Sequence, residues 1–261
     1  MWPGCRVSGS PVFFLRDKGD PPRHCRAMFR LTHDGEIARL SLDRPEARNA
    51  IPAAGWAELR RLLGELGSAR MLVISGAGGA FCAGADLSDF AAMRDDQSAR
   101  VRFRESMRAA LDTLRVLPIP TVARIDGACY GAGVALAMAC DLRVVTGRAH
   151  FAITPAKIGI SYPQEDVHRL VALVGPGQAA RLLFTAATID GAEAIRIGLV
   201  ELEDSDESAI LANDPESIAL LKHAIALAAD GVRTDAGQDR GFDGLLGGEA
   251  LARRLEALRR K

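Results

Sequence analysis

The sequence predicts an α/β protein in which short strands alternate with helices, followed by a mainly helical C-terminal region. Three observations carry this. Apolar runs of strand length recur between charged or amphipathic stretches of helix length, turn residues separate them, and the late apolar periods are helical. Phe29 to His33 and Ile37 to Leu42 read as strands, with Asp34 and Gly35 between them as a hairpin signal. Pro52 suits the first turn of a helix running to about Leu66. Met71 to Ser75 has the short apolar run of a buried strand, and Asp89 reads as the cap of a long charged helix reaching Leu117. Thr121 to Ile125 is another strand. A glycine cluster at 127–133 leads into a small-residue helix, and Leu142 to Val145 and Phe151 to Ile153 supply two more strands. Gly177 to Phe184, Asp190 to Ile197, Pro215 to Ala228 and the basic segment from Glu249 read as helices. Glu201 to Asp214 reads as a polar loop whose acids, Glu201, Glu203, Asp204, Asp206 and Glu207, form a solvated face.

With 261 residues, 48% of them apolar, the chain can bury a sizeable core in one domain, with or without a small appendage. Lys plus Arg and Asp plus Glu number 33 each, so no global field favours nucleic acid or an anionic membrane as a partner. The five cysteines, Cys5, Cys25, Cys82, Cys129 and Cys140, form neither a disulfide framework nor zinc-ligand pairs and point to a reducing cytoplasm. The longest apolar run, Gly127 to Cys140, is broken by glycines and falls short of the roughly 20 residues a membrane span needs. Residues 1–27, with Pro3, Pro11, Pro21 and Pro22 among unpatterned charges, read as a disordered extension ahead of an alternative start at Met28. The expected organisation is this extension, a core over 28–200 and an abbreviated helical region over 201–261.

Two segments carry candidate chemistry. Ile74 to Leu87, ISGAGGAFCAGADL, is a strand ending in a glycine-rich turn and a small-residue loop, which lets backbone N–H groups approach a ligand. Asp126 to Asp141, DGACYGAGVALAMACD, opens a helix on glycines, and free donors at a helix start favour an anion. Each alone fits a phosphate loop or mere tight packing, and a complete dinucleotide fingerprint is absent. No metal-ligand cluster appears, so no metal or redox cofactor is implied.

Together with LDRPEARNAI at Leu42 to Ile51, these segments resemble the crotonase, or enoyl-CoA hydratase/isomerase, superfamily, from Met28 to about Gly198. CAGADL and the glycine-opened helix ending ACD stand at the family's spacing. The resemblance implies a crotonase-like (ClpP/crotonase) spiral of repeated strand-strand-helix units, assembled as a homotrimer or hexamer. It implies an acyl-CoA substrate, so coenzyme A enters as part of the substrate and no cofactor is held permanently. By carry-over, the N–H groups of Ala85 and Ala132 fall on the family's two oxyanion-hole donors. Two amides aimed at a thioester oxygen stabilise a developing enolate, and removing one such donor costs about 10² to 10³ in rate. The resemblance also places Arg48, Ala83 and Asp86 beside the CoA, with Arg48 meeting a phosphate. A solvated cation remains the alternative for Arg48, and a loop-bracing role the alternative for Asp86.

The pattern also breaks. Where the family's hydratases carry catalytic glutamates, this chain has Ala135 and Pro155, which disfavours simple hydration. Thr154 to His168, TPAKIGISYPQEDVH, resembles methylmalonyl-CoA decarboxylase-like members, in which a tyrosine at the place of Tyr162 lines the acyl pocket. That subgroup nevertheless keeps a glutamate where Ala135 stands and a proline where Ser161 stands. Glu165, Asp166 and His168 are candidate substitutes for the lost acids, or simply the charged start of a helix. Tyr130 lines the acyl tunnel or packs against the core, and Cys82 reads as buried filler. Lys222, Arg253, Arg254, Arg259, Arg260 and Lys261 are candidates to reach a neighbouring subunit's CoA, or belong to a solvated basic surface. The expectation is an acyl-CoA enzyme working by enolate stabilisation, with isomerisation or decarboxylation fitting better than hydration. The alternative from another class is a degenerate scaffold that binds CoA without catalysis.

Overall fold

The computed structural model describes residues 27–204 and 208–260. The expected extension over 1–26, with Cys5 and Cys25, lies outside the described residues, as do Asp206, Glu207 and Lys261. β1 (Phe29–Asp34) and β2 (Ile37–Leu42) form the expected antiparallel hairpin, and Gly35 takes the left-handed φ of 58° that the turn requires. In β2 the buried residues Ala38, Leu40 and Leu42 alternate with partly exposed ones, the period-two pattern of a sheet covered on one face.

Three strand-strand-helix turns follow. β3 (Met71–Gly76) leads to β4 (Ala80–Cys82), then α2 (Leu87–Met93) and α3 (Gln97–Arg115). β5 (Thr121–Ile125) leads to β6 (Ala128–Tyr130) and α4 (Ala132–Met138). β7 (Leu142–Val145) leads to β8 (His150–Ala152), a short 3-10 turn and α5 (Gln164–Thr185). The first strand of each turn joins one sheet, in the order β1-β2-β3-β5-β7-β10, where β10 is Leu202–Glu203; the second joins another, in the order β4-β6-β8-β9, where β9 is Ile189–Asp190. All pairings along β2-β3-β5-β7 and along β4-β6-β8 are parallel. Between the layers lies a core around Trp56, Phe81, Leu111 and Phe151, to which α1 (Ala53–Leu62) adds Leu59 and Leu62. The chain ends in α6 (Gly191–Arg196), α7 (Ser208–Leu211), α8 (Pro215–Ala229), α9 (Ala236–Leu246) and α10 (Glu249–Arg259). Among the described residues no helix is long and apolar enough to cross a membrane.

Several elements differ from the sequence reading. The single charged helix from Asp89 is two helices, α2 capped by Asp86 and α3 capped by Asp96. Asp89 reaches across instead, accepting from the amide of Ala53 at 2.6 Å and so capping α1. Gly177 to Phe184 is the second half of α5, broken at Gly175 (φ 73°, ψ 163°) ahead of Pro176. The stretch Glu201 to Asp214 is more than a loop, since it holds β10 and α7. Glu201 is exposed as expected, but its carboxylate is partnered: it pairs with the guanidinium of buried Arg143 and accepts from that residue's amide at 2.9 Å. A buried cation requires such a partner, and sequence alone cannot reveal it.

Candidate active site

Two bends meet where β4 and β6 lie side by side. Gly133, in the first turn of α4, packs directly on Cys82; a β-carbon there would sit 2.6 Å from the Cys82 carbonyl oxygen. At Gly84, with φ 108°, a β-carbon would sit 3.1 Å from the Tyr130 carbonyl oxygen and 3.6 Å from the Ala132 nitrogen. The loop at 83–86 is thereby pressed against the start of α4.

Neighbouring residues lace this loop in place. Asn49, fully buried with φ 58°, donates to the carbonyls of Ala77 (2.8 Å) and Ala80 (2.7 Å), and its side-chain oxygen accepts from the Arg44 amide (3.0 Å). The Ala83 amide donates to Arg48, and the Asp86 amide to Ile51, both at 2.9 Å; the Gly84 amide points to the Cys82 sulfur at 3.4 Å. Ala85, flanked by these bonded amides, donates to no acceptor among the described residues. The same holds for Ala132: Gly131 N–H goes to Ala152 (2.9 Å), and Val134 and Ala135 both go to the Gly131 carbonyl, which leaves the Ala132 amide free.

Ala83, Ala85 and Ala132 border one cavity of about 310 Å³, and so do Ala135 and Pro155. Its walls are largely apolar, with Phe90 and Phe103 packed edge to face, 5.5 Å between centroids. Tyr162, Asp166, Arg104, Thr154 and Ser161 are the polar residues on its lining. The Tyr162 hydroxyl donates to the Gly131 carbonyl at 2.9 Å. Burial, reinforced by nearby Asp166, pushes the phenol well above its ordinary value of 10, so it stays a neutral donor. Asp166 is 1% exposed, and burial pushes its carboxyl from 3.8 up to about 6 against the opposing pull of Arg169 and Arg108. Arg169, itself 9% exposed, donates to Asp166 at 3.0 Å and to Asp112 on α3 at 3.2 Å.

The remaining candidates lie elsewhere. Glu165 is exposed on the first turn of α5, 3.8 Å from Arg108, and lines an adjoining hollow rather than this cavity. His168 is exposed on the same helix. Asp86 caps α2 and pairs with Arg44 at 3.0 Å; the Ser88 hydroxyl foremost, then Arg44, hold its carboxyl below the ordinary value. Arg48 is exposed in a left-handed conformation at φ 49°, its carbonyl holding the Ala83 amide. Lys222, on α8, donates to the Ile119 carbonyl (2.9 Å) and pairs with Asp141 (2.8 Å). Tyr130 stacks edge-on against His150, and Cys82 is buried with its thiol pushed up to about 12. Sequence reasoning passed over Asn49, Arg104 and Arg169. Asn49 had a readable signal, a residue tolerant of left-handed backbone inside the LDRPEARNAI motif; the two arginines had none.

The enoyl-CoA hydratase/isomerase family profile matches residues 32–229. The "Probable enoyl-CoA hydratase echA6" of Mycobacterium tuberculosis (strain CDC 1551 / Oshkosh) is 36% identical over 174 residues, 66% of this chain and 69% of that one. A short-chain-enoyl-CoA hydratase of Clostridium acetobutylicum is 32% identical over 209 residues, 75% of this chain and 79% of that one. Among solved structures, an enoyl-CoA hydratase/isomerase family protein from Hyphomonas neptunium superposes with a TM-score of 0.83 at 31% identity, covering 89% of this chain and 96% of that one. Profile, relatives and fold agree, and the chain belongs to the enoyl-CoA hydratase/isomerase family of the crotonase superfamily, a family of acyl-CoA enzymes.

Proposed function

We propose that the protein stabilises an acyl-CoA enolate between the N–H groups of Ala85 and Ala132, with Asp166 carrying the proton that moves a double bond along the acyl chain. The observation behind this reading is two amides without acceptors among the described residues, on one apolar cavity that also holds a carboxyl pushed up to about 6 by burial. The thioester oxygen accepts from both amides. Asp166 takes a proton from the acyl carbon next to the thioester, the charge passes to the oxygen, and the same carboxyl returns the proton two carbons further on. One acid suffices for this sequence, and a group titrating near 6 is suited to both steps at neutral pH. Hydration is disfavoured because Ala135 and Pro155, which the resemblance sets at the hydratase glutamates, can transfer no proton. The presence of Tyr162 in the cavity favours a second reading, decarboxylation, in which loss of carbon dioxide generates the enolate directly. Arg48 is exposed beside the Ala83 segment, which supports a phosphate contact to the CoA. A homotrimer or hexamer is part of the proposal, supported by exposed Leu221, Ile225 and Phe242 on α8 and α9 and tested by light-scattering mass.

Turnover of a 3-enoyl-CoA, crotonyl-CoA and methylmalonyl-CoA by the wild type and Asp166→Asn tests this. The expected result is conversion of the 3-enoyl to the 2-enoyl thioester, falling about 10² to 10⁴ in the variant. Hydration of crotonyl-CoA that survives the substitution would remove Asp166 from the mechanism. Binding of acyl-CoA without turnover of any substrate would leave a CoA-binding scaffold.

A further inference from the structure

We infer that the acyl cavity accepts a thioester whose acyl chain carries a second, ionised carboxylate, and that Arg104 on α3 is its partner. This rests on the acyl-CoA reading above and specifies the substrate class of that same site. The cavity is apolar along Leu87, Phe90, Phe103 and Ile158, but it also borders Arg104, Met107 and Asp166. There it adjoins a second hollow of about 290 Å³ that shares Arg104, Met107, Pro163 and Asp166 and is otherwise lined mainly by charged side chains. A hydrocarbon chain lying along the apolar wall therefore shares its cavity with a guanidinium.

Charge pairing distinguishes Arg104 from its neighbours. Arg108 pairs with Asp112 at 2.8 Å and with Glu165 at 3.8 Å. Arg169 pairs with Asp166 at 3.0 Å and with Asp112 at 3.2 Å. Arg104 lies one helical turn before Arg108 and has no acidic partner among the described residues. A guanidinium can take a carboxylate through two parallel N–H···O bonds, which a terminal methyl group cannot reproduce. Arg104 is exposed, so the pairing is solvent-screened and its effect moderate.

Calorimetric titration of the full chain with two saturated, unreactive thioesters, glutaryl-CoA and butyryl-CoA, tests the inference in the wild type, Arg104→Met and Arg104→Glu. The wild type is expected to prefer glutaryl-CoA about five- to tenfold, more at low salt. Arg104→Met brings the two Kd values together, and Arg104→Glu reverses the order. Equal affinities in the wild type, or a preference that persists in Arg104→Met, overturns the Arg104 assignment while leaving the acyl-CoA site intact. Failure of both thioesters to bind overturns the acyl-CoA reading and the assignment with it.

Discussion

Asp166 makes folding stability depend on pH in a direction opposite to that of a salt-bridged surface acid. Its carboxyl rises from 3.8 in the unfolded chain to about 6 in the folded one, because burial outweighs the attraction of Arg169 and Arg108. Below the unfolded value both states hold the proton and the group contributes no difference. As pH rises, the unfolded chain releases its proton first, and the folded chain releases its own only near 6, so stability is lost across that window. At about 1.4 kcal/mol for each tenfold change in proton affinity, the loss comes to about 3 kcal/mol. Asp166→Asn abolishes the titration while keeping size and a hydrogen-bonding oxygen. Urea unfolding of both proteins at steps from pH 4 to 7.5 should show the wild type losing about 3 kcal/mol relative to the variant. Asp86, Asp126 and Asp214 are pulled below the ordinary carboxyl value, so their contribution is lost at lower pH and is common to both proteins. A stability difference that stays flat over the window, or widens in favour of the wild type, refutes the reasoning.

Three further outcomes follow from the site. Tyr162→Phe removes the hydroxyl that polarises the Gly131–Ala132 peptide; losing a neutral hydrogen bond worth about 0.5–1.5 kcal/mol should lower kcat/KM about two- to tenfold with circular dichroism unchanged. Arg169→Met deletes a cation that draws the Asp166 proton off, so the pH at which turnover reaches half its plateau should move upward from about 6; a profile that stays put or moves down would contradict the pairing. Gly133→Ala forces a methyl group against the backbone and β-carbon of Cys82, costing about 1–3 kcal/mol in chemical denaturation and separating the two bends, so acyl-CoA affinity should fall alongside stability.

Most of the scaffold was legible because it follows local rules. The hairpin at Asp34 and Gly35, the apolar run at Met71 and the glycine-opened α4 are written in turn chemistry and period, and each stands where expected. The two bends of the candidate site were legible for the same reason: CAGADL and DGACYGAG state where a chain can bend tightly without obstruction. Other features depend on partners distant in sequence. Asp89 caps α1 rather than its own helix because Ala53 folds next to it, and Glu201 pairs from the surface with buried Arg143, 58 residues earlier. Asp166 and Glu165 are adjacent acids in the sequence, yet helical geometry turns one into the cavity and the other toward solvent. No periodicity reports which of two neighbouring carboxyls loses its water. Arg104 and Arg108 divide in the same way, one without an acidic partner among the described residues and the other held by Asp112, according to what stands opposite each on the folded surface.

The interruption in α5 separates the end of that helix bearing Asp166 from its far end. With Gly175 out of helical geometry and Pro176 offering no amide, the hydrogen-bond ladder does not run continuously from Gln164 to Thr185. The stretch bearing Asp166 and Arg169 is tethered to α3 through Asp112, whereas the later stretch is tethered to α6 through Arg181 and Glu193. The placement of Asp166 on the cavity therefore depends on its ties to α3 and not on the stretch of helix beyond the joint.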